Sequence, residues 1–144
     1  MKVTIRPFHK NDALEVYAIL RETEELHVDG MTYSEKAVRS WHVTRANDVI
    51  LTAKAKDVIV GFIAAKLNDP EPGAAYIDCL AVKLEHRGKG IGRQLLEHCQ
   101  ALLKARGMFF AGLHVRAEFP RTIDFWEKNG FKGKQLELWM YKEI

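Results

Sequence analysis

No apolar stretch in this chain is long enough to cross a bilayer. The longest, Val58-Ile59-Val60-Gly61-Phe62-Ile63-Ala64-Ala65, falls far short of the roughly 20 residues a spanning helix needs. The first residues, Met1-Lys2-Val3-Thr4-Ile5-Arg6, enter strand-like alternation without the apolar core of a secretory signal, so a cytoplasmic location is expected. Cysteine is scarce as well: Cys79 and Cys99 each lie inside an apolar segment, which argues against a disulfide framework and for reduced, buried thiols. No run of five like charges occurs and the net charge is only +3, so an extended nucleic-acid-binding face is not expected. None of the six histidines combines with the cysteines in a metal-ligand spacing, and no metal is expected. Repeats, low-complexity tracts and linkers are also missing.

What remains is an ordinary globular composition, 47% apolar and 28% charged, in 144 residues, the size of one domain with one core. Residues 1–144 are therefore read as a single domain. Val3 and Ile5 alternate with polar neighbours and predict a first strand. Ala13, Val16, Ile19 and Leu20 recur at helical spacing to about Leu26, with Asn11 or Asp12 as N-cap. Ser34 can cap a second helix whose Ala37, Val38 and Trp41 share a face. Val49 to Ala55 and Val58 to Leu67, joined by Lys56-Asp57, predict an antiparallel hairpin. Ala75 to Lys83 reads as a central strand buried on both faces. Leu95, Leu96, Cys99, Leu102 and Leu103 form the apolar stripe of a helix ending at Gly107. A strand from Met108 to Arg116, a helix from Pro120 to Lys128 stopped by Asn129-Gly130, and a strand from about Gln135 to Lys142 complete the order β-α-α-β-β-β-α-β-α-β. The fold class is α/β or α+β, a mixed central sheet with helices on its faces.

The chemistry concentrates in Arg87-Gly88-Lys89-Gly90-Ile91-Gly92. Three glycines in five residues cost conformational entropy unless the backbone must approach something closely. At a helix N-terminus the amides of the first turn lack internal acceptors and the dipole is positive there, which suits a pyrophosphate. Lys83, Arg87, Lys89 and Arg93 add local positive charge. No Gly-Lys-Ser/Thr follows, which disfavours a magnesium-nucleotide loop. The spacing of a dinucleotide fingerprint is incomplete too.

Leu80-Ala81-Val82, the glycine loop, Leu95-Leu96 and the C-terminal Phe125-Trp126-Glu127-Lys128-Asn129-Gly130-Phe131 together resemble the GNAT superfamily of N-acetyltransferases. The resemblance implies that acetyl-CoA is bound, its pyrophosphate on amides from Gly88 to Arg93 and its pantetheine arm along Leu80, Ala81 and Val82. It also implies that the strands ending near Val82 and Arg116 splay apart. The Leu80 amide is then the candidate donor to the thioester oxygen, where charge develops. Trp126 stands where the family's usual general acid, a tyrosine, is found; indole can donate a hydrogen bond but cannot deliver a proton. Tyr76 and Tyr141 are the substitutes within the chain. Phe119 replaces an asparagine that often contacts the cofactor.

Transfer to an amine requires a neutral nucleophile, whereas an alkylamine is mostly protonated at neutral pH. Asp78, two residues before Leu80 and expected on the same strand face, is the candidate base or orienting carboxylate. His114 reads as a structural strand histidine. The segment between the first two helices holds Glu24, Glu25, His27, Asp29 and Tyr33, candidate contacts for a cationic acceptor. The partners compatible with this reading are a small-molecule or peptide amine and, in a homodimer, a second copy of the chain; nucleic acid and membrane are not among them. A coenzyme A sensor without catalysis is the alternative.

Overall fold

A computed structural model describes residues 2–27, 30–133, 140 and 142 of the chain. Two compact units are distinguished, Met1–His114 and Val115–Ile144. In the first, five strands lie side by side in chain order: β1 (Thr4–Pro7), β2 (Val49–Ala55), β3 (Val58–Leu67), β4 (Ala74–Val82) and β5 (Phe110–Gly112). The first four are antiparallel and β5 joins β4 in parallel. That parallel step requires a crossover, which α3 (Ile91–Ala105) supplies. Together with α1 (Ala13–Glu22), α2 (Glu35–Thr44) and, in the second unit, α4 (Pro120–Lys128), this gives a mixed α/β fold in the expected order through nine elements. The expected last strand, 135–142, falls almost wholly outside the described residues. No helix among the described residues is long and apolar enough to cross a membrane.

Both faces of the sheet are covered, and strand alternation divides the core accordingly. Val16, Ile19 and Leu20 of α1 and Val38 and Trp41 of α2 pack with Ile50, Phe62, Ala64, Cys79 and Ala81. On the other face the stripe Ile91, Leu95, Leu96, Cys99 and Leu103 of α3 is buried. The approach is close at Gly61, where a Cβ would lie 2.9 Å from the Ala81 carbonyl oxygen and 3.3 Å from Leu95 Cδ1.

Local signals account for the ends of several elements. Ser34 Oγ accepts the Ala37 amide at 3.1 Å and starts α2 as expected. Asp12 does not cap α1 with its side chain; it accepts the His9 amide at 2.8 Å and a two-bond fork from Arg6, closing a 3-10 turn that leads into the helix. The first helix stops at Glu22 rather than near Leu26. Thr23 leaves the helical region at φ −97°, ψ 90°, its hydroxyl bonds Ile19 O at 2.7 Å, and Glu24–Leu26 form a separate 3-10 turn.

The sheet corrects three expectations. β4 is not buried on both faces, since Leu80 and Val82 are only part-buried. The strand expected from Met108 to Arg116 pairs only over Phe110–Gly112, because it diverges from β4 beyond the Tyr76–Gly112 rung. Asp78 and Leu80 do not share a face. Cys79 pairs with Ala64 but Ile77 pairs with Ala65, which leaves Asp78 as the extra residue of a β-bulge. The bulge turns Asp78 to the side of α1 and α2 with Cys79, and the pleat then turns Leu80 the other way.

Candidate active site

The divergence of β5 leaves one edge of β4 open from Ile77 to Val82. Lys83 donates its amide to Val60 O at 2.8 Å, so the alternation of the strand directs the backbone groups of Leu80 and Val82 away from β3, toward that edge. Arg87 Nε donates to Val82 O at 2.9 Å, and Arg87 Nη1 lies 3.7 Å from Glu25 Oε1 of the α1–α2 connection. An extended ligand entering the gap meets main-chain donors and acceptors in the manner of an added strand.

Beyond this edge a 3-10 turn, Leu84–His86, leads into the glycine loop. Gly88 and Gly90 have φ of +76° and +79°, left-handed conformations that disfavour any side chain. Gly90 occupies the N-cap of α3 with no side-chain cap, and the first internal bond of the helix runs from the Gln94 amide to Gly90 O at 3.0 Å. The amides ahead of it thus face outward at the positive end of a 15-residue helix. Lys89 and Arg93 lie on the same exposed turn, Arg93 bonded to Glu97 at 2.9 Å. Open amide donors, nearby cations and space where Cβ atoms would stand suit a dianionic pyrophosphate.

On the α1–α2 side of β4 the bulge builds a buried polar network. Asp78 accepts a fork from Arg45, with Nη1 to Oδ2 at 2.9 Å and Nη2 to Oδ1 at 2.8 Å. Tyr33 donates its hydroxyl to the same Oδ2 at 2.7 Å. Arg45 Nε binds Asp48 Oδ2 at 2.7 Å, and its guanidinium lies 4.9 Å from the centre of the Trp41 ring. Only 7% of each side chain of the Arg45–Asp78 pair is exposed. Burial works against the Arg45 charge, but the bonds to Asp78 and Asp48 outweigh it and raise its pKa further. Burial and the Asp78 charge hold the Tyr33 phenol well above its ordinary value. The fold therefore brings Tyr33 and Asp78, read separately from the sequence, into direct contact, and adds Arg45, which no local pattern singled out.

A second contact joins residues read separately as packing groups. Tyr76 OH lies 2.9 Å from His114 Nδ1, at the point where β4 and the departing chain part. Burial, then the negative charge of Asp78, raises the Tyr76 pKa and keeps the phenol protonated. His114 is exposed and therefore in exchange with solvent.

The remaining expected residues are accounted for individually. His27 Nε2 bonds to Leu20 O at 3.1 Å, and Glu24 lies in the same 3-10 turn as Glu25; Asp29 and Tyr141 lie outside the described residues. Trp126 is packed edge-on between Phe125, 5.2 Å away, and Phe131, 5.0 Å away, within the second unit. Phe119 precedes α4 and stacks beneath Arg116 at 4.9 Å. Cys79 and Cys99 are buried free thiols, the former raised in pKa by burial and by Asp78, the latter pushed up by burial to about 12, so neither is an activated nucleophile.

Known proteins are similar to this chain in sequence and in fold. A spermidine N(1)-acetyltransferase of Thermoplasma acidophilum is 26% identical over 153 aligned positions, covering 95% of this chain and 92% of its own length. N-alpha-acetyltransferase 50 of Danio rerio is 26% identical over 116 positions, 79% of this chain and 68% of the relative. The crystal structure of a PaiA N-acetyltransferase from Thermoplasma acidophilum in complex with coenzyme A superposes with a TM-score of 0.77 at 25% identity, covering 95% of this chain and 94% of that one. The acetyltransferase (GNAT) family matches residues 13–131, most of the chain, including β4, the glycine loop and α4. With an open strand edge leading to an anion cradle, and that match spanning both, the chain belongs to the GNAT family of acetyl-CoA-dependent N-acetyltransferases.

Proposed function

We propose that this N-acetyltransferase acts on the primary amine of a cationic small molecule or peptide, using the gap beside β4 for acetyl-CoA and the Tyr33 side of β4 for the acceptor. The observation that carries the reading is the parting of β4 and β5 beyond Tyr76 and Gly112, which leaves the Leu80 backbone and the Val82 amide without a strand partner on that edge, a few residues before the Gly88–Arg93 loop. The names of two relatives, a spermidine N(1)-acetyltransferase and N-alpha-acetyltransferase 50, both specify acetylation at nitrogen, which supports this acceptor class.

In this reading the amides of Gly88 to Arg93 hold the pyrophosphate, and Leu80 and Val82 hold the pantetheine arm. Acetyl-CoA supplies the activated thioester. The Leu80 amide donates to its carbonyl oxygen as negative charge develops there. The acceptor nitrogen forms the new bond to the acetyl carbon as the carbon–sulfur bond breaks. Its proton passes to Tyr76 OH while the phenol proton moves to His114 Nδ1, and the exposed imidazolium returns a proton to water. The phenol is thus never left ionised, in keeping with its raised pKa. Coenzyme A leaves as a thiolate without a dedicated acid, since a thiol pKa near 8.5 makes it a good leaving group, and it takes up a proton from water afterwards. Neither Trp126 nor Tyr141 is required for that step.

A thiol-release assay with a panel of polyamines, diamino acids and peptides tests the reading. Tyr76→Phe and His114→Gln are expected to lower kcat by about 10²-fold, the lower end of general-base contributions, with less change in coenzyme A affinity. The double variant should be no slower than the slower single one, because the pair acts as a unit. Full activity in both single variants would refute the proton route; no thiol release with any amine would refute the function.

A further inference from the structure

The mechanism leaves unused the most deeply buried charged cluster in the described chain, Asp78 with Arg45 and Asp48. We infer that Asp78 and Arg45 are positioning residues that fix Tyr33 as a specific receiver of the acceptor's N–H, an inference that rests on the amine-acetylation reading above.

The geometry makes the hydroxyl of Tyr33 one-directional. Asp78 Oδ2, held by Arg45 Nη1 at 2.9 Å, can only accept, so the phenol proton at 2.7 Å must point to it. What the phenol oxygen has left is lone-pair density. It can accept a hydrogen bond from a ligand but has no proton to donate to one. An ammonium or amine satisfies that demand, whereas a ligand group with only acceptor atoms leaves it unmet. The Tyr33 ring itself is held edge-on against Trp41, with centroids 5.2 Å apart, and Trp41 also lies against the Arg45 guanidinium. Two carboxylates face a single guanidinium in this network, a formal charge of −1 beneath the phenol that also favours a cation.

The bulge explains why this device stands here. Asp78 faces α2 only because it is the extra residue between Ile77 and Cys79; a regular strand would carry it to another face. The fork from Arg45 then pins the bulge one residue upstream of Cys79 and two upstream of Leu80. Both Asp78 oxygens are engaged by this fork and by Tyr33, in keeping with a positioning role.

Steady-state kinetics on the full-length chain with its best amine test the inference. Tyr33→Phe keeps the ring and the buried pair and should fold normally. Its expected effect is a rise of about 3- to 10-fold in the acceptor KM, the range for one neutral hydrogen bond, with kcat and acetyl-CoA KM little changed. Asp78→Asn should raise the same KM, and the Tyr33→Phe/Asp78→Asn double variant should be no worse than the poorer single variant. The pH profile of kcat/KM should keep its shape in all three. An unchanged acceptor KM in folded Tyr33→Phe would overturn the inference, as would additive effects or loss of the profile's limb in Asp78→Asn. If Asp78→Asn does not fold, the Tyr33→Phe result decides alone. Absence of turnover in the wild type would overturn the acetylation reading and this inference with it, whereas wild-type turnover with an indifferent Tyr33→Phe overturns only the inference.

Discussion

Replacing Gly90 by valine separates backbone conformation from side-chain bulk. Gly90 sits at φ +79°, and an added Cβ would meet nothing within 4 Å. The cost to the free protein is therefore the left-handed conformation alone, about 1–2 kcal/mol, and greater for a β-branched residue. Set against a typical stability of about 5–15 kcal/mol, that leaves the protein folded. Ligand binding should suffer more. If the loop relaxes to a negative φ, the amides flanking Gly90 turn away from the pyrophosphate, and each bond to a charged group is worth about 1.5–3 kcal/mol. Losing two gives about 3–6 kcal/mol, a fall in coenzyme A affinity of at least 100-fold. Titration calorimetry with coenzyme A, beside thermal unfolding of the free proteins, reads both quantities. Gly90→Ala, with a smaller strain, should fall between wild type and valine. A folded Gly90→Val that binds coenzyme A within threefold of wild type would refute the assignment of these amides to the pyrophosphate.

Two predictions concern stability away from the site. Gly61→Ala puts a methyl group 2.9 Å from the Ala81 carbonyl oxygen, backbone that cannot swing aside, so a loss of about 1–3 kcal/mol is expected in urea unfolding; unchanged stability would mean that β3 and β4 move apart freely. Asp12→Asn keeps an acceptor for the His9 amide but weakens the charged fork to Arg6, for an expected loss of about 1–3 kcal/mol at neutral pH. Burial opposes the Asp12 charge, yet Arg6 and the His9 amide prevail and hold its pKa below the ordinary carboxylate value. The stabilisation from this shift is therefore fully present above the unfolded value near 3.9 and is lost as pH falls through the lower folded value. Wild type and Asp12→Asn should converge in stability at acid pH; a constant gap from pH 7 to pH 2 would show that the charge on Asp12 is not what matters.

Much of the molecule was legible because its determinants are local. The apolar stripe of α3, the Ser34 cap, the Lys56-Asp57 hairpin and the glycine loop each depend on residues within a turn or two of one another. Positive φ at Gly88 and Gly90 favours glycine whatever surrounds it. Hydrophobic periodicity sets which face of a helix is buried, and it placed Val16, Ile19 and Leu20 correctly. The break after Glu22 was less legible, since Thr23 competes with the helix through its own hydroxyl while the apolar spacing continues to Leu26.

The contacts behind the proposed proton route and acceptor site belong to tertiary structure. Asp78 and Leu80 are two apart, and period-2 alternation places them on one face; only the pairing of Cys79 with Ala64 and Ile77 with Ala65 creates the bulge that separates them. Arg45 reaches Asp78 across 33 positions of sequence, and Tyr76 meets His114 across 38. Sequence alone determined that a glycine loop suited to an anion opens a helix after a strand, because glycine geometry and helix dipoles are properties of a short segment. Which carboxylate is spent on a guanidinium, and which phenol meets an imidazole, was decided by cross-strand register and by the divergence of β4 and β5, since those contacts exist only once distant segments are packed together.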